Sequence, residues 1–308
     1  MTSVGSALVW SVFALVIVAA LAIDLGVFHR EPKPVRTREA AIWVVVWSSL
    51  ALAFNAFVLL RFGPQKGMEF FEGWLLELAL STDNVFVFLV IFSYFQVPRD
   101  YQHRILFWGI VGAVLTRGVF IAAGAAVIHA FHWVLYLLGG FLVFTAFKLV
   151  TQKDEKIDPS KNPVLRLFRR VVPITEGGYG VHFIVRENGR LMATPLLAVL
   201  VVVETVDVTF AVDSIPAIFG ITTDVFIVLT SNIFAVLGLR SLFFLVAGLA
   251  RKLEYLNYGI AAILAFIGVK IALQSYHPIS VGISLGVVAG LLAIATAASF
   301  LARSKKAE

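Results

Sequence analysis

Residues 70–95 read FFEGWLLELALSTDNVFVFLVIFSYF, and this stretch decides the fold class. A transmembrane helix needs about 20 mostly apolar residues, so the stretch is long enough to cross a bilayer once. Its middle, residues 77–84, nevertheless carries acidic, hydroxyl and amide side chains. A charge at membrane depth costs about 2.5–3.5 kcal/mol on insertion scales, so such residues mark a candidate functional site.

The composition of the whole chain is typical of a membrane protein. Of 308 residues, 60% are hydrophobic and only 14% are charged, whereas about a quarter of a soluble domain is charged. A water-soluble enzyme is excluded because so much apolar surface could not be hidden, and disorder is excluded by the same numbers. The chain has no cysteine, which excludes thiolate metal centres and disulfides. We expect no resident cofactor and no nucleic-acid partner.

Nine segments are predicted to span the bilayer: 7–28, 41–61, 70–95, 105–128, 132–150, 194–219, 225–249, 256–274 and 279–302. With this count, 20 Lys and Arg residues fall on one side of the membrane, and only Arg61 and Lys66 on the other. Basic loops stay in the cytoplasm. We therefore predict that the N-terminus lies outside, that the C-terminus is cytoplasmic and that the bilayer is the first partner of the chain.

Two parts of the chain repeat one pattern in the same order. Residues 77–84 and 207–214 both read acid, five residues, Asp, then Asn or Ser. The next span of each copy carries an arginine, Arg117 or Arg240. Each copy has three spans, an odd number, so the copies would have opposite orientations, as in many transporters with a site at the midplane. The predicted fold is an all-α integral membrane protein with an inverted repeat of two three-helix units.

The predicted spans and repeats divide the chain into five parts. They are the N-terminal helices (1–69), repeat one (70–150), a cytoplasmic loop (151–193), repeat two (194–275), and the last helix with its tail (276–308). Within the loop, residues 164–172 are predicted to form a short basic interfacial helix. Residues 182–194 are predicted to form a hairpin around Asn188-Gly189. The loop is either a solvated connector or an element that binds cytoplasmic stress-response partners.

The candidate site consists of oxygen ligands inside the predicted spans. We single out six acids, which three basic residues of the spans (Arg117, Arg240 and Lys270) cannot neutralise one to one. Some acids are therefore protonated, hydrated or bound to a cation. Because no Cys or His lies near the motifs, a hard divalent cation such as Mg²⁺, Ca²⁺ or Mn²⁺ is indicated. The predicted metal ligands are Glu77, Asp83, Asn84, Glu204, Asp207, Asp213, Ser214 and Asn232, with Arg117 and Arg240 as charge partners and Asp24 and Asn55 as weaker candidates.

Straight helices would not bring all of these acids together. Glu77 and Asn84 share one helical face, from which Asp83 points away. Residues 81–84 are poor helix formers, and Pro216 removes a backbone hydrogen bond. We therefore expect both helices to be broken here, with freed carbonyls joining the carboxylates around an ion, since irregular backbone is tolerated where it lines a cavity.

The motifs resemble those of the TerC (tellurium-resistance C, Alx-like) family of integral membrane proteins. The likeness rests on LELALSTDNVF (76–86), DLGVFHR (24–30), FAVDSIPA (210–217) and TSNIFAVLGLR (230–240). It implies a bacterial cytoplasmic (inner) membrane protein related to LysE-type exporters. It further implies manganese export, with some members tied to metal stress and tellurite resistance, and a metal site formed by the acids of the third and sixth spans.

Three functions remain open at this point. The first is Mn²⁺ export through the acidic site by alternating access, coupled to protons because carboxylates that release a cation in a low dielectric take up protons. The second is a membrane scaffold of a metal or tellurite stress-response complex, acting through residues 151–193. The third is an intramembrane aspartyl hydrolase, which the sequence disfavours because it lacks a Gly-x-Gly-Asp segment. We expect a protein that is not an enzyme.

Overall fold

The computed structural model describes residues 3–28, 37–131, 133–151, 162–175, 182–187, 189–247, 256–273 and 279–306. Its elements are mostly helices, with one short hairpin. They are α1 (Ala7–Phe28), α2 (Thr37–Phe62), α3 (Pro64–Tyr94), α4 (Arg99–Ala130), α5 (Val134–Thr151), α6 (Pro163–Val171), β1 (Ile184–Glu187), β2 (Arg190–Ala193), α7 (Pro195–Phe219), α8 (Val225–Ala247), α9 (Leu256–Leu273) and α10 (Val281–Lys306).

Every predicted span coincides with one of these helices. Six of them, namely α2, α3, α4, α7, α8 and α10, are long and apolar enough to cross a membrane by themselves, and α1, α5 and α9 contain shorter apolar stretches. Large apolar side chains such as Leu8, Leu60, Val119 and Phe144 are exposed on the outer helices. Such a surface suits lipid and not water. The chain is a multi-pass integral membrane protein.

Proline and glycine set several of the helix boundaries. Gly63 has φ +94°, a left-handed conformation in which it separates α2 from α3, and Pro64 follows at the first position of α3. Pro195 begins α7 in the same way. Proline suits the start of a helix because its missing N–H would have no helical partner there. The short connection at Gly63 places α2 beside α3 in the bundle.

Helices α3 and α8 form the centre of the bundle. Helix α3 packs against α2, α7, α8 and α10, and α4 packs against α7 and α8. The centre is filled by fully buried aromatic side chains, among them Phe70, Phe88, Phe226 and Phe234. The first turns of α3 and the end of α7 line one cavity, so these two helices run in opposite directions.

Helices α5 and α9 meet through two glycines. A Cβ atom on Gly268 would lie 2.7 Å from the carbonyl oxygen of Gly139, and one on Gly139 would lie 3.1 Å from the carbonyl oxygen of Gly268. No side chain fits at so close an approach of two backbones. Small residues at helix contacts are typical of membrane proteins.

The expected breaks in the third and sixth predicted spans are wrong. Helix α3 continues through residues 81–84, and α7 continues through Pro216 to Phe219. The hydroxyl of Thr82 donates a hydrogen bond to the carbonyl oxygen of Leu78 at 3.0 Å, so it supports the helix and does not compete with it. Pro216 lies about one turn from the end of α7, where one missing N–H leaves the rest of the helix intact.

The short helix and the hairpin predicted within residues 151–193 are both present in the structure. Residues 163–171 form α6, which packs against α7 with Leu165 buried. Strands β1 and β2 pair antiparallel, with Glu187 opposite Arg190. Gly189 has φ +79° between them, as a tight hairpin turn requires.

Candidate functional site

A fully buried arginine lies among the central helices. Arg117 of α4 is 0% exposed and pairs with Glu77 of α3. Its Nη2 and Nε atoms lie 3.2 and 3.4 Å from the two carboxylate oxygens of Asp207 of α7. Asn232 of α8 accepts a hydrogen bond from Arg117 at 3.0 Å and donates one to Glu77 at 3.0 Å. We call these four residues the central cluster.

The central cluster lies near mid-depth of the bundle. Glu77 is about 20 Å from the start of α3, and Asp207 about 18 Å from the end of α7, at 1.5 Å per residue. These two helix ends lie together, so the two carboxylates are at the same level. Two carboxylates face one guanidinium, which leaves the four side chains with one formal negative charge in excess when all are ionised.

Small residues allow the helices around the cluster to approach. A Cβ atom on Gly73 of α3 would lie 3.0 Å from Oγ of Ser231 on α8. Both residues neighbour the cluster along their helices, since Ser231 precedes Asn232 and Gly73 lies one turn before Glu77. The close contact of α3 and α8 therefore puts the Asn232 amide within reach of the Glu77 carboxylate.

The other acids of α7 lie on either side of Asp207. Glu204 lies one turn before Asp207, and its carboxylate lies against the backbone of α4. A Cβ atom on Gly112 of α4 would lie only 2.1 Å from Oε1 of Glu204. Asp213, nearly two turns later, hydrogen-bonds Thr145 and faces Lys148, both on α5. Glu204 is thus a neighbour of the central cluster, whereas Asp213 belongs to the interface of α5 and α7.

Three polar residues of the predicted site are buried without forming part of the cluster. Asn84, Ser81 and Ser214 are each at most 3% exposed. The hydroxyl oxygens of Ser81 and Ser214 have no hydrogen-bond partner in the part of the chain that the structure describes. A buried polar group without a partner costs about 1–3 kcal/mol, so these hydroxyls are available to a ligand.

The predicted metal ligands do not converge on one point. The helices are unbroken and antiparallel, so Asp83 lies about 9 Å from Glu77 along α3 and Asp213 about 9 Å from Asp207 along α7, in opposite directions. The side chain of Asp83 is not among those that the structure describes. Among the side chains that are described, no three His, Asp or Glu residues form a group that could hold a metal ion.

The remaining predicted residues occupy different surroundings. Arg240 of α8 is buried and lines, together with Asp207, a small void between α3, α4, α7 and α8. Asn55 of α2 is half-buried, and its side-chain oxygen has no partner within the described ranges. The side chain of Asp24 is not among those that the structure describes. Of the two predicted charge partners, Arg117 therefore contacts Asp207, and Arg240 lines the same void as Asp207.

Sequence reasoning missed a second polar group near the start of α3. A cavity of about 340 Å³ lies between the ends of α3, α7, α9 and α10, and Lys66, Glu69 and Lys270 line it. Glu69 accepts hydrogen bonds from Lys66 at 2.7 Å and from Thr222 at 2.6 Å. Asp224 caps α8 by accepting from the backbone N–H of Phe226 at 3.1 Å.

A buried triad lies beside this cavity. Glu72 of α3 is 0% exposed and accepts a hydrogen bond from Ser284 of α10. Lys270 of α9 donates to the Ser284 hydroxyl at 2.9 Å. Glu72 falls inside the predicted span 70–95, so a complete count of the acids in the spans would have found it; no sequence signal pointed to Ser284.

The sequence pattern of the Integral membrane protein TerC family matches residues 62–307. The chain belongs to the TerC family. The resemblance of its motifs and its all-α membrane fold are thereby confirmed. None of the solved structures matches this TerC-family chain.

Several relatives of this TerC-family chain match over nearly its full length. An uncharacterized membrane protein STKORF319 of Myxococcus xanthus is 49% identical over 97% of the chain and 94% of its own length. The putative membrane-bound redox modulator Alx of Escherichia coli K12 is 44% identical over 95% of the chain and 94% of its own length. An uncharacterized membrane protein of Rickettsia felis is 37% identical, over 96% and 98%. None of these names denotes an enzyme.

Proposed function

We propose that the chain exports a hard divalent cation, with Mn²⁺ as the first candidate, across the bacterial inner membrane in exchange for protons. The observation that supports this most is the meeting of Glu77 and Asp207 at one buried guanidinium. These acids hold matched positions in the two predicted repeats. Buried intramembrane charges usually mark an ion path or a proton relay.

The packing of the helices supports the inverted repeat. Each helix of the first unit, α3, α4 or α5, packs against its counterpart in the second, α7, α8 or α9. The contact of α3 with α8 is matched by that of α4 with α7. A twofold axis in the membrane plane would exchange the members of each such pair. A transport site at the interface of the two units is the arrangement expected of secondary transporters.

Arg117 has a defined task in this cycle. In the structure its guanidinium lies between the Glu77 and Asp207 carboxylates and compensates one of their two negative charges. A divalent cation that bound both carboxylates would displace the guanidinium and take up the Asn232 amide oxygen as a further ligand. Carboxylate, amide and water oxygens are the ligands that Mn²⁺, Mg²⁺ and Ca²⁺ share, and the preference for manganese comes from the family likeness alone.

The separation of Asp83 from Asp213 gives the path a direction. With the N-terminus outside, α3 runs inward and α7 outward, so Asp83 lies on the cytoplasmic side of the central cluster and Asp213 on the outer side. An exported ion would be captured near Asp83, pass the central cluster and leave past Asp213. The unpartnered hydroxyls of Ser81 and Ser214 lie along the same two segments.

Flux into liposomes tests this proposal. The purified chain is reconstituted, and Mn²⁺ movement is followed with a trapped metal-sensitive dye for the wild type, Glu77→Gln and Asp207→Asn. We expect both variants to lose transport by about tenfold or more, because each removes a charged ligand that no neighbour replaces. Asp100→Asn, at the exposed start of α4, is the matched control and should transport normally. Wild-type flux in both site variants would refute the site.

The manganese content of cells provides a second test of the proposed export. Cells that lack the protein are complemented with the wild type or with Asp83→Asn, and their manganese content is measured after a Mn²⁺ load. The wild type should restore a low manganese content, and Asp83→Asn should not. Full restoration by Asp83→Asn would remove this aspartate from the path.

A scaffold role is the second candidate, and exposed apolar side chains in the cytoplasmic loop favour it. Val171 of α6 and Leu191 of β2 are 73% and 70% exposed. Deleting residues 163–193 while scoring stress resistance and metal efflux separately distinguishes the two roles, since loss of resistance with intact efflux would favour the scaffold. A redox role, as the name of the Alx relatives suggests, could not use thiols, because this chain has no cysteine.

The hydrolase alternative gains no support from the geometry. A hydrolase of this kind needs two aspartates that share a proton. Asp207 instead engages the guanidinium of Arg117 with both of its oxygens. Tellurite is an oxyanion, so a path lined by carboxylates would repel it, and we expect any tellurite phenotype to be indirect.

A further inference from the structure

The triad of Glu72, Ser284 and Lys270 is separate from the central cluster. Its three residues come from three different helices, α3, α10 and α9, which pack together on one side of the bundle. Glu72 lies five residues before Glu77, about 7.5 Å along α3. The proposed transport path assigns it no task, although it is a fully buried carboxylate.

The triad is connected to the surface through the cavity of about 340 Å³ described above. Lys270 lines that cavity, and its side chain is 10% exposed, whereas that of Glu72 is 0% exposed. Gln65 and Thr223, which also line the cavity, are exposed. Water in the cavity can therefore reach the Lys270 ammonium, and among the described residues Lys270 and Ser284 form a hydrogen-bonded connection from the cavity to Glu72.

The hydrogen bonds within the triad are all donated in the direction from Lys270 towards Glu72. Nζ of Lys270 donates to Oγ of Ser284 at 2.9 Å, and the Ser284 hydroxyl donates to Oε1 of Glu72. The direct distance from Nζ to Oε1 is 3.7 Å, too long for a hydrogen bond. The serine hydroxyl is thus the link between the base and the acid.

We propose that Lys270, Ser284 and Glu72 form a proton relay from the cavity into the membrane interior. This inference rests on the proposed cation–proton exchange, to which the relay would supply the protons. In one step the Ser284 hydroxyl proton moves to Oε1 of Glu72, while an ammonium proton of Lys270 moves to Oγ of Ser284. The resulting lysine amine then takes a proton from a water molecule in the cavity and leaves hydroxide there, so the net change is one proton gained by Glu72.

The surroundings of the triad suit a proton that is bound and released. The second oxygen of Glu72, Oε2, is buried and has no hydrogen-bond partner in the described part of the chain. Among the described residues, Lys270 faces Glu72, and Glu69 interacts electrostatically with both. Glu69 is itself held by Lys66 and Thr222, so Glu72 is the acid of this group with an oxygen left free.

The proton flux of reconstituted protein tests the relay. A Mn²⁺ gradient is imposed across liposomes, and a trapped pH-sensitive dye reports the protons that move with it. Ser284→Ala should lower proton movement by about tenfold or more, since positioned proton-transfer groups contribute about 10²–10⁴-fold and water replaces the hydroxyl poorly. Ser284→Thr keeps the hydroxyl and should stay near the wild-type rate. Wild-type proton flux in Ser284→Ala would overturn the relay.

A buried serine on the same helix supplies the matched control. Ser299 of α10 donates to the carbonyl oxygen of Ala295 at 2.8 Å, a hydrogen bond within its own helix. Ser299→Ala should leave proton and Mn²⁺ fluxes unchanged. A loss of flux in Ser299→Ala equal to that in Ser284→Ala would mean that removing a buried hydroxyl from α10 is harmful in itself, and would overturn the relay.

Infrared spectroscopy separates failure of the relay from failure of the transport proposal. The band of a protonated carboxylic acid is recorded for the purified chain as the pH of the medium is lowered, in the absence of Mn²⁺. We expect a band in the wild type that is missing in Glu72→Gln and in the charge-free double variant Glu72→Gln/Lys270→Met. Mn²⁺ flux without proton flux would refute both the relay and the proton coupling while leaving Mn²⁺ export intact. An unchanged band in both variants would refute the relay alone, whether or not Mn²⁺ is transported.

Discussion

Replacement of Arg117 by methionine is the most direct perturbation of the central cluster. The side chain is 0% exposed, and Nη2 lies 3.2 Å from Asp207. At an effective dielectric constant of about 20, a pair at that distance interacts with about 5 kcal/mol. Removing one partner of a buried pair costs about 3–5 kcal/mol, because the other charge stays buried without compensation. We expect Arg117→Met to lower the free energy of unfolding by about that amount.

Two further variants separate charge balance from simple packing. The triple variant Arg117→Met/Glu77→Gln/Asp207→Asn removes the guanidinium together with both charges it balances. It should regain most of the lost stability, because apolar or neutral replacements of a buried ion pair are often close to neutral. Arg38→Met, at the exposed start of α2, should have little effect.

The cation should rescue the single variant. A ligand at 100 times its dissociation constant stabilises the folded state by about 2.7 kcal/mol. Mn²⁺ should therefore stabilise Arg117→Met more than the wild type, in which the cation must first displace the guanidinium. Equilibrium unfolding in mixed micelles, followed by tryptophan fluorescence with and without Mn²⁺, measures both effects. A triple variant as unstable as Arg117→Met, or no added stabilisation of Arg117→Met by Mn²⁺, would refute the reasoning.

Three further predictions concern single contacts. Gly268→Ala should destabilise the fold by about 1–3 kcal/mol, since its methyl group would meet the facing carbonyl of α5. Thermal unfolding measures the effect, with Gly290→Ala on α10 as the control because Gly290 has open space around it. Equal effects of the two substitutions would contradict the packing argument. Gly112→Ala should displace the Glu204 carboxylate and weaken Mn²⁺ binding measured by calorimetry, while unchanged binding would remove this acid from the site. Ser214→Ala should leave stability unchanged or slightly raised, because it removes an unpartnered hydroxyl, yet weaken Mn²⁺ binding; a loss of stability would show that the hydroxyl has a structural task.

The number and placement of the helices could be predicted from the sequence because the bilayer imposes a simple rule. A membrane-spanning segment must be long, apolar and internally hydrogen-bonded, and Lys and Arg accumulate on one side. Both signals can be recognised directly in the amino-acid sequence. The hairpin around Gly189 was equally accessible, because a two-residue turn with positive φ has a local signature.

The state of the helices at the site could not be predicted in the same way. Residues 81–84 are poor helix formers by propensity, but propensity is weak against tertiary packing. In the bundle, α3 is enclosed by α2, α7, α8 and α10, and its helix continues. The break expected at Pro216 is absent for a different reason. The energetic cost of a proline in a helix depends on its distance from the helix end, and Pro216 lies near the end of α7.

The partners of buried charges were the least predictable part of the site. The matched positions of Glu77 and Asp207 in the two repeats indicate a site, and Arg117 is a predicted charge partner. Nothing in a single sequence indicates that one guanidinium reaches both acids. The position of Ser284, 212 residues from Glu72 along the chain, is set by the packing of α10 against α3 and α9.

The unbroken, antiparallel course of α3 and α7 has an electrical consequence. Asp83 and Asp213 lie about 18 Å apart along the helix direction, which is more than half of a hydrocarbon core of about 30 Å. Moving one elementary charge across the whole membrane potential is worth about 2.3 kcal/mol per 100 mV. A divalent ion that travels between the two aspartates carries two charges across about 0.6 of the hydrocarbon core. At a membrane potential of 100 mV its free energy would therefore change by about 3 kcal/mol. The separation of these two positions along the helices thus makes the proposed export step sensitive to membrane voltage.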